Sequence, residues 1–187
     1  NWFDPGSVAE AYNLMHTWEM PSYMEALQLL DGRFPDPKVR AFAVQILGGL
    51  TDSEMIELML QLVQLAKNET HHDNALTRFL LRRAISNPHA VGHAFFWYLR
   101  ADFYSKVATK RFEILLDVFM HHLGQSRIAL GRQILLCQEL EEIIYSLKAI
   151  ESIEMKNQIL REKLSKVQLP SDWRLPLCST LEFTGIE

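Results

Sequence analysis

Residues 29–50, LLDGRFPDPKVRAFAVQILGGL, leave this chain few folds to choose from. The stretch ends one helix at Asp31-Gly32, turns through Phe34-Pro35-Asp36-Pro37 and starts a second. Val39, Phe42, Ala43, Ile46, Leu47 and Leu50 recur at i, i+3, i+4, i+7, i+8 and i+11, the period of an α-helix buried along one face. Pro37 suits the first helical position, where its missing N–H is not needed. Asp36 before it is the expected N-cap. Asp36 and Pro37 are therefore read as structural pins of a corner. One amphipathic helix pair cannot bury its own apolar face, so the corner requires helical neighbours on both sides.

The rest of the chain supplies them. Ser7 and Glu10 have the spacing of a capping box, and Val8, Ala11, Tyr12, Met15 and Trp18 mark a first helix over 8–18. A second runs over about 22–30, the corner helix over 37–48. Residues 52–67, DSEMIELMLQLVQLAK, are apolar on most sides, as expected of a helix sandwiched between others. Further helices are expected over 74–86, through Phe95-Phe96-Trp97-Tyr98-Leu99, and over about 106–123, which Gly124 ends. Leu136, Leu140, Ile143, Leu147 and Ile150 then step by four and three, a coiled-coil-like seam that breaks or bends near Ser152. The expected fold is all-α, about nine helices stacked as antiparallel pairs in a right-handed armadillo/HEAT-like superhelix. The helical domain is expected to span 1–167. Residues 168–187 lose the period and read as an extended linker.

Composition excludes several function classes. The net charge is −4 with dispersed basic residues, which argues against a nucleic-acid partner. No uncharged apolar run reaches the ~18–20 residues of a membrane span, and NWFDPGS lacks the pattern of a signal peptide. The two cysteines, Cys137 and Cys178, are expected to be free thiols in a reducing compartment, with cytoplasm the default location.

On its residues alone the sequence holds no active site. His71-His72-Asp73 and His121-His122 are doublets whose side chains diverge by about 100° on a helix. His89 and His93 have i, i+4 spacing, but without a third ligand or an HExxH arrangement. No nucleophile elbow or glycine-rich phosphate loop is present. Glu141-Glu142 and Glu151/Glu154 read as solvated helix faces, and the aromatic run as core. Arg78, Arg82 and Arg83 form the polar side of one helix. They read either as an ordinary face with internal salt bridges or as an interface for an acidic partner or phosphoinositide head groups. No catalytic, cofactor-binding or metal-ligating residue is assigned.

Several blocks, in order, resemble the helical (accessory, or PIK) domain of phosphoinositide 3-kinase catalytic subunits. They are Ala26–Asp31, Phe34–Pro37 with Val39-Arg40, and Leu60–Gln64 with Lys67. They continue through Asp73–Leu76, Arg78–Ala84, Gly92-His93, Phe95–Leu99, and Arg111-Phe112 with Leu115-Leu116. The wording is closest to class I enzymes, and Leu169–Pro176 is similar to the family's connection into a kinase N-lobe.

The resemblance implies a non-catalytic scaffold within a phosphatidylinositol 3-kinase, with Arg40 joining Asp36 and Pro37 as a structural pin of the corner. Kinase, lipid-binding β-sandwich and Ras-binding modules would dock on it, with a regulatory subunit as a further partner. The parent would transfer phosphate from ATP, with magnesium, to the inositol 3-hydroxyl. The fragment itself would bind no nucleotide and would reach membranes only through the parent. The alternative is a free-standing helical-repeat adaptor.

Overall fold

The computed structural model describes residues 3–102, 109–169, 174–176 and 178–182. Helix α1 (Pro5–Thr17) and helix α3 (Pro37–Leu47) start in the same way, with an aspartate cap and proline at the first position. Asp4, not Ser7, caps α1: its carboxylate accepts from the Ser7 N–H at 2.9 Å and from Ser7 Oγ at 2.6 Å. The Ser7–Glu10 capping box expected from sequence is not formed. The Asp-Pro dipeptide begins the helix one turn earlier, because proline presets the backbone there.

Helix α2 (Tyr23–Leu29) has a Ser22–Glu25 capping box and leads into the corner. After α3 the chain enters α4 (Asp52–Glu57) and α5 (Met59–Leu65), where one helix is expected. The division is a bend at Leu58, whose N–H still donates to the Glu54 carbonyl at 3.0 Å. Met55, Met59, Leu62 and Val63 are enclosed and Leu60 is exposed, so the rod is covered on all but one side. A 3-10 turn (Ala66–Asn68) follows, then α6 (Ala75–Ser86), α7 (Val91–Ala101) and α8 (Thr109–His122). Residues 103–108, which include the expected start of this last helix at about 106, lie outside the described residues.

The chain divides after His122 into two compact units. In the first, elements two apart in sequence lie side by side once α4 and α5 are counted as one rod. Helix α1 packs on α3, α3 on α6 and α6 on α8, while the α4–α5 rod packs on α7. Consecutive helices α2–α3, α6–α7 and α7–α8 also pack together. Two rows of helices, each contacting its neighbours in sequence order, form a helical-repeat architecture. The domain is all-α, as the 3.6-residue period implies. Its centre is aromatic: Phe95, Phe112 and Phe119 are fully enclosed, with Phe96 and Leu99 beside them.

The α3 stripe differs from expectation at one position. Val39, Ala43, Ile46, Leu47 and Leu50 are buried and Val44 joins them, but Phe42 is only half-buried. A helix enclosed from two sides buries an arc wider than one stripe, and here the arc extends toward Val44 rather than Phe42. Phe42→Ala is expected to lower stability by about 1–2 kcal/mol, not the ~3–5 kcal/mol of an enclosed phenylalanine. Urea unfolding checks it, and a loss near 4 kcal/mol would put Phe42 back in the core.

The second unit holds α9 (Ser126–Leu147) and α10 (Ile153–Leu164). Leu136, Ile143 and Leu147 of the expected seam are buried, and Leu140 and Ile150 half-buried. Ser152, where a break is expected, caps α10 by accepting from the Met155 N–H at 3.4 Å. Helix α10 packs on α9, and Lys163 Nζ donates to Ser146 Oγ at 2.7 Å. Within 168–187 the described residues include two short antiparallel strands, β1 (Arg174–Leu175) and β2 (Cys178–Glu182). Residues 170–173 and the Cys178 side chain lie outside the described residues, while Cys137 is half-buried on α9. Gly124 has φ +53°, a left-handed turn that favours glycine after α8. No helix among the described residues is long and apolar enough to cross a membrane.

Candidate functional site

The corner is closed by hydrogen bonds that the local sequence sets up. Asp36 Oδ1 accepts from the N–H groups of Lys38 at 2.9 Å and Val39 at 3.0 Å. Its Oδ2 accepts from the Tyr12 hydroxyl at 2.7 Å, which ties α1 to the start of α3. Lys38 Nζ stands 4.3 Å from the Tyr12 ring centroid. Burial pushes the Asp36 carboxyl up, but the Tyr12 hydroxyl and the Val39 and Lys38 N–H groups outweigh it and hold it below the usual carboxylate range.

A folded-state pKa below the unfolded one stabilises the protein above the ordinary carboxylate range, about pH 4. That contribution is lost as pH falls through the depressed value. Asparagine caps about as well as aspartate, so Asp36→Asn isolates the charge. The stability gap between wild type and Asp36→Asn is expected to be full at neutral pH and to shrink below about pH 4. Thermal melts at the two pH values check this, and a gap of equal size at both would exclude the carboxylate charge as its source.

Arg40 points inward. Its Nε donates to Glu69 Oε1 at 2.9 Å and its Nη1 to the Asp31 and Phe34 carbonyls at 3.2 Å each. Nη2 lies 2.8 Å from the same Glu69 oxygen, but its N–H groups are not aimed at it and find no acceptor. The pair is thus one oxygen facing the guanidinium edge, not a two-by-two fork. A second guanidinium completes the cluster. Arg111 of α8 donates from Nη1 to the Ala66 carbonyl at 2.6 Å and from Nη2 to the Glu69 carbonyl at 2.5 Å. Longer bonds reach the Lys67 and His71 carbonyls. Arg40, Glu69 and Arg111 are all at least nine-tenths buried. Burial lowers the pKa of Arg111, the Glu69 carboxylate raises it and the Arg40 charge lowers it again.

One cation, Arg40, is paired with the carboxylate, while Arg111 holds the chain between α5 and α6 by its carbonyls and feels the Glu69 charge from there. Such a cluster positions backbone. Arg40 engages the Oε1 atom of that carboxylate. Glu69 and Arg111 escape sequence reasoning as site residues. Glu69 sits in a polar corner that reads as surface, and its partner Arg40 is 29 residues away.

The arginines of α6 divide by partner. Arg78 pairs with Asp73. Arg83 pairs with Asp52 at 2.8 Å, where Asn87 Nδ2 also donates, and these bonds hold the Asp52 carboxyl below its usual range. Arg82 is exposed, and its guanidinium has no ion pair among the described residues. Arg78 and Arg82 flank a groove of about 420 Å³ between α3 and α6. Its floor is Ala41, Val44, Ala75 and Phe79, with Gln45 and Gly48 along the α3 side.

The histidine pair does not form a chelate. His89 lies in the turn ahead of α7, exposed, whereas His93 is buried within the helix with its ring 6.4 Å from that of Trp97. The i, i+4 geometry needs both on one helix. Among the described residues, no group of three or more His, Cys, Asp or Glu side chains could hold a metal ion.

Comparison with known proteins matches residues 1–131 to the phosphoinositide 3-kinase family accessory domain (PIK domain). Over 186 residues, all of this chain, it is 33% identical to phosphatidylinositol 3-kinase 2 of Dictyostelium discoideum. It is 35% identical over 185 residues to phosphatidylinositol 3-kinase 1 of that organism. It is 34% identical over 184 residues to the human phosphatidylinositol 4-phosphate 3-kinase C2 domain-containing subunit beta. The chain spans 10%, 12% and 11% of the length of these relatives. The match covers the whole first unit, including Asp36, Arg40, Glu69 and Arg111, and the chain belongs to the phosphoinositide 3-kinase family as its accessory (PIK) domain.

Proposed function

We infer that this chain is a non-catalytic scaffold of a phosphatidylinositol 3-kinase, working by holding other modules in place. The observation that carries the reading is coverage: an accessory-domain match within a chain that spans only about a tenth of its kinase relatives. The buried Arg40–Glu69–Arg111 cluster supports it, since such a network fixes the relative positions of α3, the 66–71 segment and α8. On this reading 1–167 is the docking domain and 168–187 leads toward kinase lobes. The partners are the kinase, a lipid-binding β-sandwich, a Ras-binding domain and a regulatory subunit. The parent uses ATP and magnesium to phosphorylate the inositol 3-hydroxyl, in the cytoplasm and at membranes it is recruited to. Asp36, Pro37 and Arg40 act as structural pins and Arg78, Arg82 and Arg83 as an interface.

The test has two arms. The 187-residue chain, incubated with ATP, magnesium and phosphatidylinositol vesicles, is expected to release no phosphorylated lipid. The full-length protein containing this sequence is expected to do so, and to lose the activity when the corner is destabilised by Arg40→Ala. Turnover by the short chain, abolished by a substitution within it, would overturn the scaffold reading.

A further inference from the structure

We propose that the α3–α6 groove is a docking site for an acidic protein segment carrying one bulky apolar side chain. The proposal starts from an asymmetry on α6. Of its three arginines, Arg78 and Arg83 are neutralised by Asp73 and Asp52, whereas Arg82 is exposed and unpaired among the described residues. A helix face that served only its own fold would gain most from pairing all three. Arg82 instead stands one turn beyond Arg78, at the flank of an apolar recess, and no acidic residue lines that recess.

The recess is open because its lining is small. Ala41 and Ala75 leave room above the largely buried Val44 and Phe79. The open recess measures about 420 Å³, which leaves room for a large side chain. An apolar floor with a guanidinium at the flank is complementary to a leucine, methionine or aromatic side chain followed by a carboxylate. Arginine suits the second role because its planar fork matches a carboxylate. Membrane recognition fits less well. Anionic lipid surfaces are read by clusters of about 4–8 basic residues, whereas two flank this groove. A head group also makes no use of an apolar recess.

The inference deepens the docking-domain reading above by naming the partner's chemistry. Its test involves no nucleotide, so it stands or falls apart from the lipid-kinase assay. A displayed library of random short peptides is selected against the 187-residue chain, and enriched sequences are resynthesised for fluorescence anisotropy. The expected winners place Asp or Glu within a few positions of a bulky apolar residue. Arg82→Glu is expected to weaken their binding about tenfold or more, and Ala41→Phe, which fills the recess without touching the charge, by a similar factor. Arg82→Lys, which keeps the charge but not the fork, should retain part of it. Both positions are exposed, and unchanged circular dichroism melts confirm that the variants fold. The proposal is overturned by an absence of enrichment, by winners without an acid, or by binding indifferent to either variant. Vesicles containing phosphatidylinositol bisphosphate serve as the second probe. Vesicle binding lost in Arg82→Glu but kept in Ala41→Phe would assign the groove to a membrane and also overturn it.

Discussion

Glu69→Ala is expected to unfold the domain more readily by about 3–5 kcal/mol, although Glu69 lies outside every α-helix. The reason is the company it leaves behind. Arg40 and Arg111 remain buried, and only carbonyl dipoles answer two positive charges. Removing one member of a buried charge cluster strands the others, which costs far more than the cluster is worth intact. Glu69→Gln separates charge from shape: it keeps an acceptor for Arg40 Nε but not the negative charge, and an intermediate loss is expected. Replacing both side chains, as in Arg40→Met with Glu69→Leu, removes the stranded charge at that end. The double variant should therefore be more stable than the sum of its single losses predicts. Urea unfolding midpoints with unchanged denaturant slopes measure the cycle. Strict additivity, or a Glu69→Ala loss under about 1 kcal/mol, would mean that the pair behaves like a surface ion pair.

The same cluster shows which parts of this molecule are written locally. The caps and the buried stripe of α3 follow from neighbouring residues, so Asp36, Pro37, Ala43 and Leu47 take the roles their spacing assigns. Where sequence reasoning fails, a second element has intervened. Asp4-Pro5 carries the same signal as Asp36-Pro37, yet Ser7 with Glu10 offers a competing local cap, and only the fold shows which forms. Phe42 has core spacing, but the helices around α3 leave that side half open. Glu69 and Arg111 carry no periodic signal, since their partners lie 29 and 42 residues away. The groove is legible only in part: Arg82 stands out as a charge, but the emptiness beside it depends on α3 and α6 meeting through Ala41 and Ala75.

Phe119→Ala is the other substitution expected to cost about 3–5 kcal/mol, and it tests packing rather than charge. The Phe119 ring is fully enclosed and meets Phe95 edge-on, with centroids 5.5 Å apart and planes at 82°. Beside it lies Gly92, where a β-carbon would come within 2.8 Å of Phe119 Cζ and 2.7 Å of the Ala84 carbonyl oxygen. The ring therefore occupies space that α7 vacates by using glycine. Truncating Phe119 leaves a hole facing a residue with no side chain to swing into it. Such a cavity is dry and apolar, so benzene should bind it and raise the melting temperature of the variant but not of wild type. Gly92→Ala alone is expected to cost about 1–3 kcal/mol by overpacking. Joining it to Phe119→Ala relieves the ring contact but not the one with the Ala84 carbonyl, which is backbone and cannot turn away. The double variant should thus remain well below wild type. Its recovery to wild-type stability would show that the α6–α7 approach has slack that the Ala84 contact does not allow.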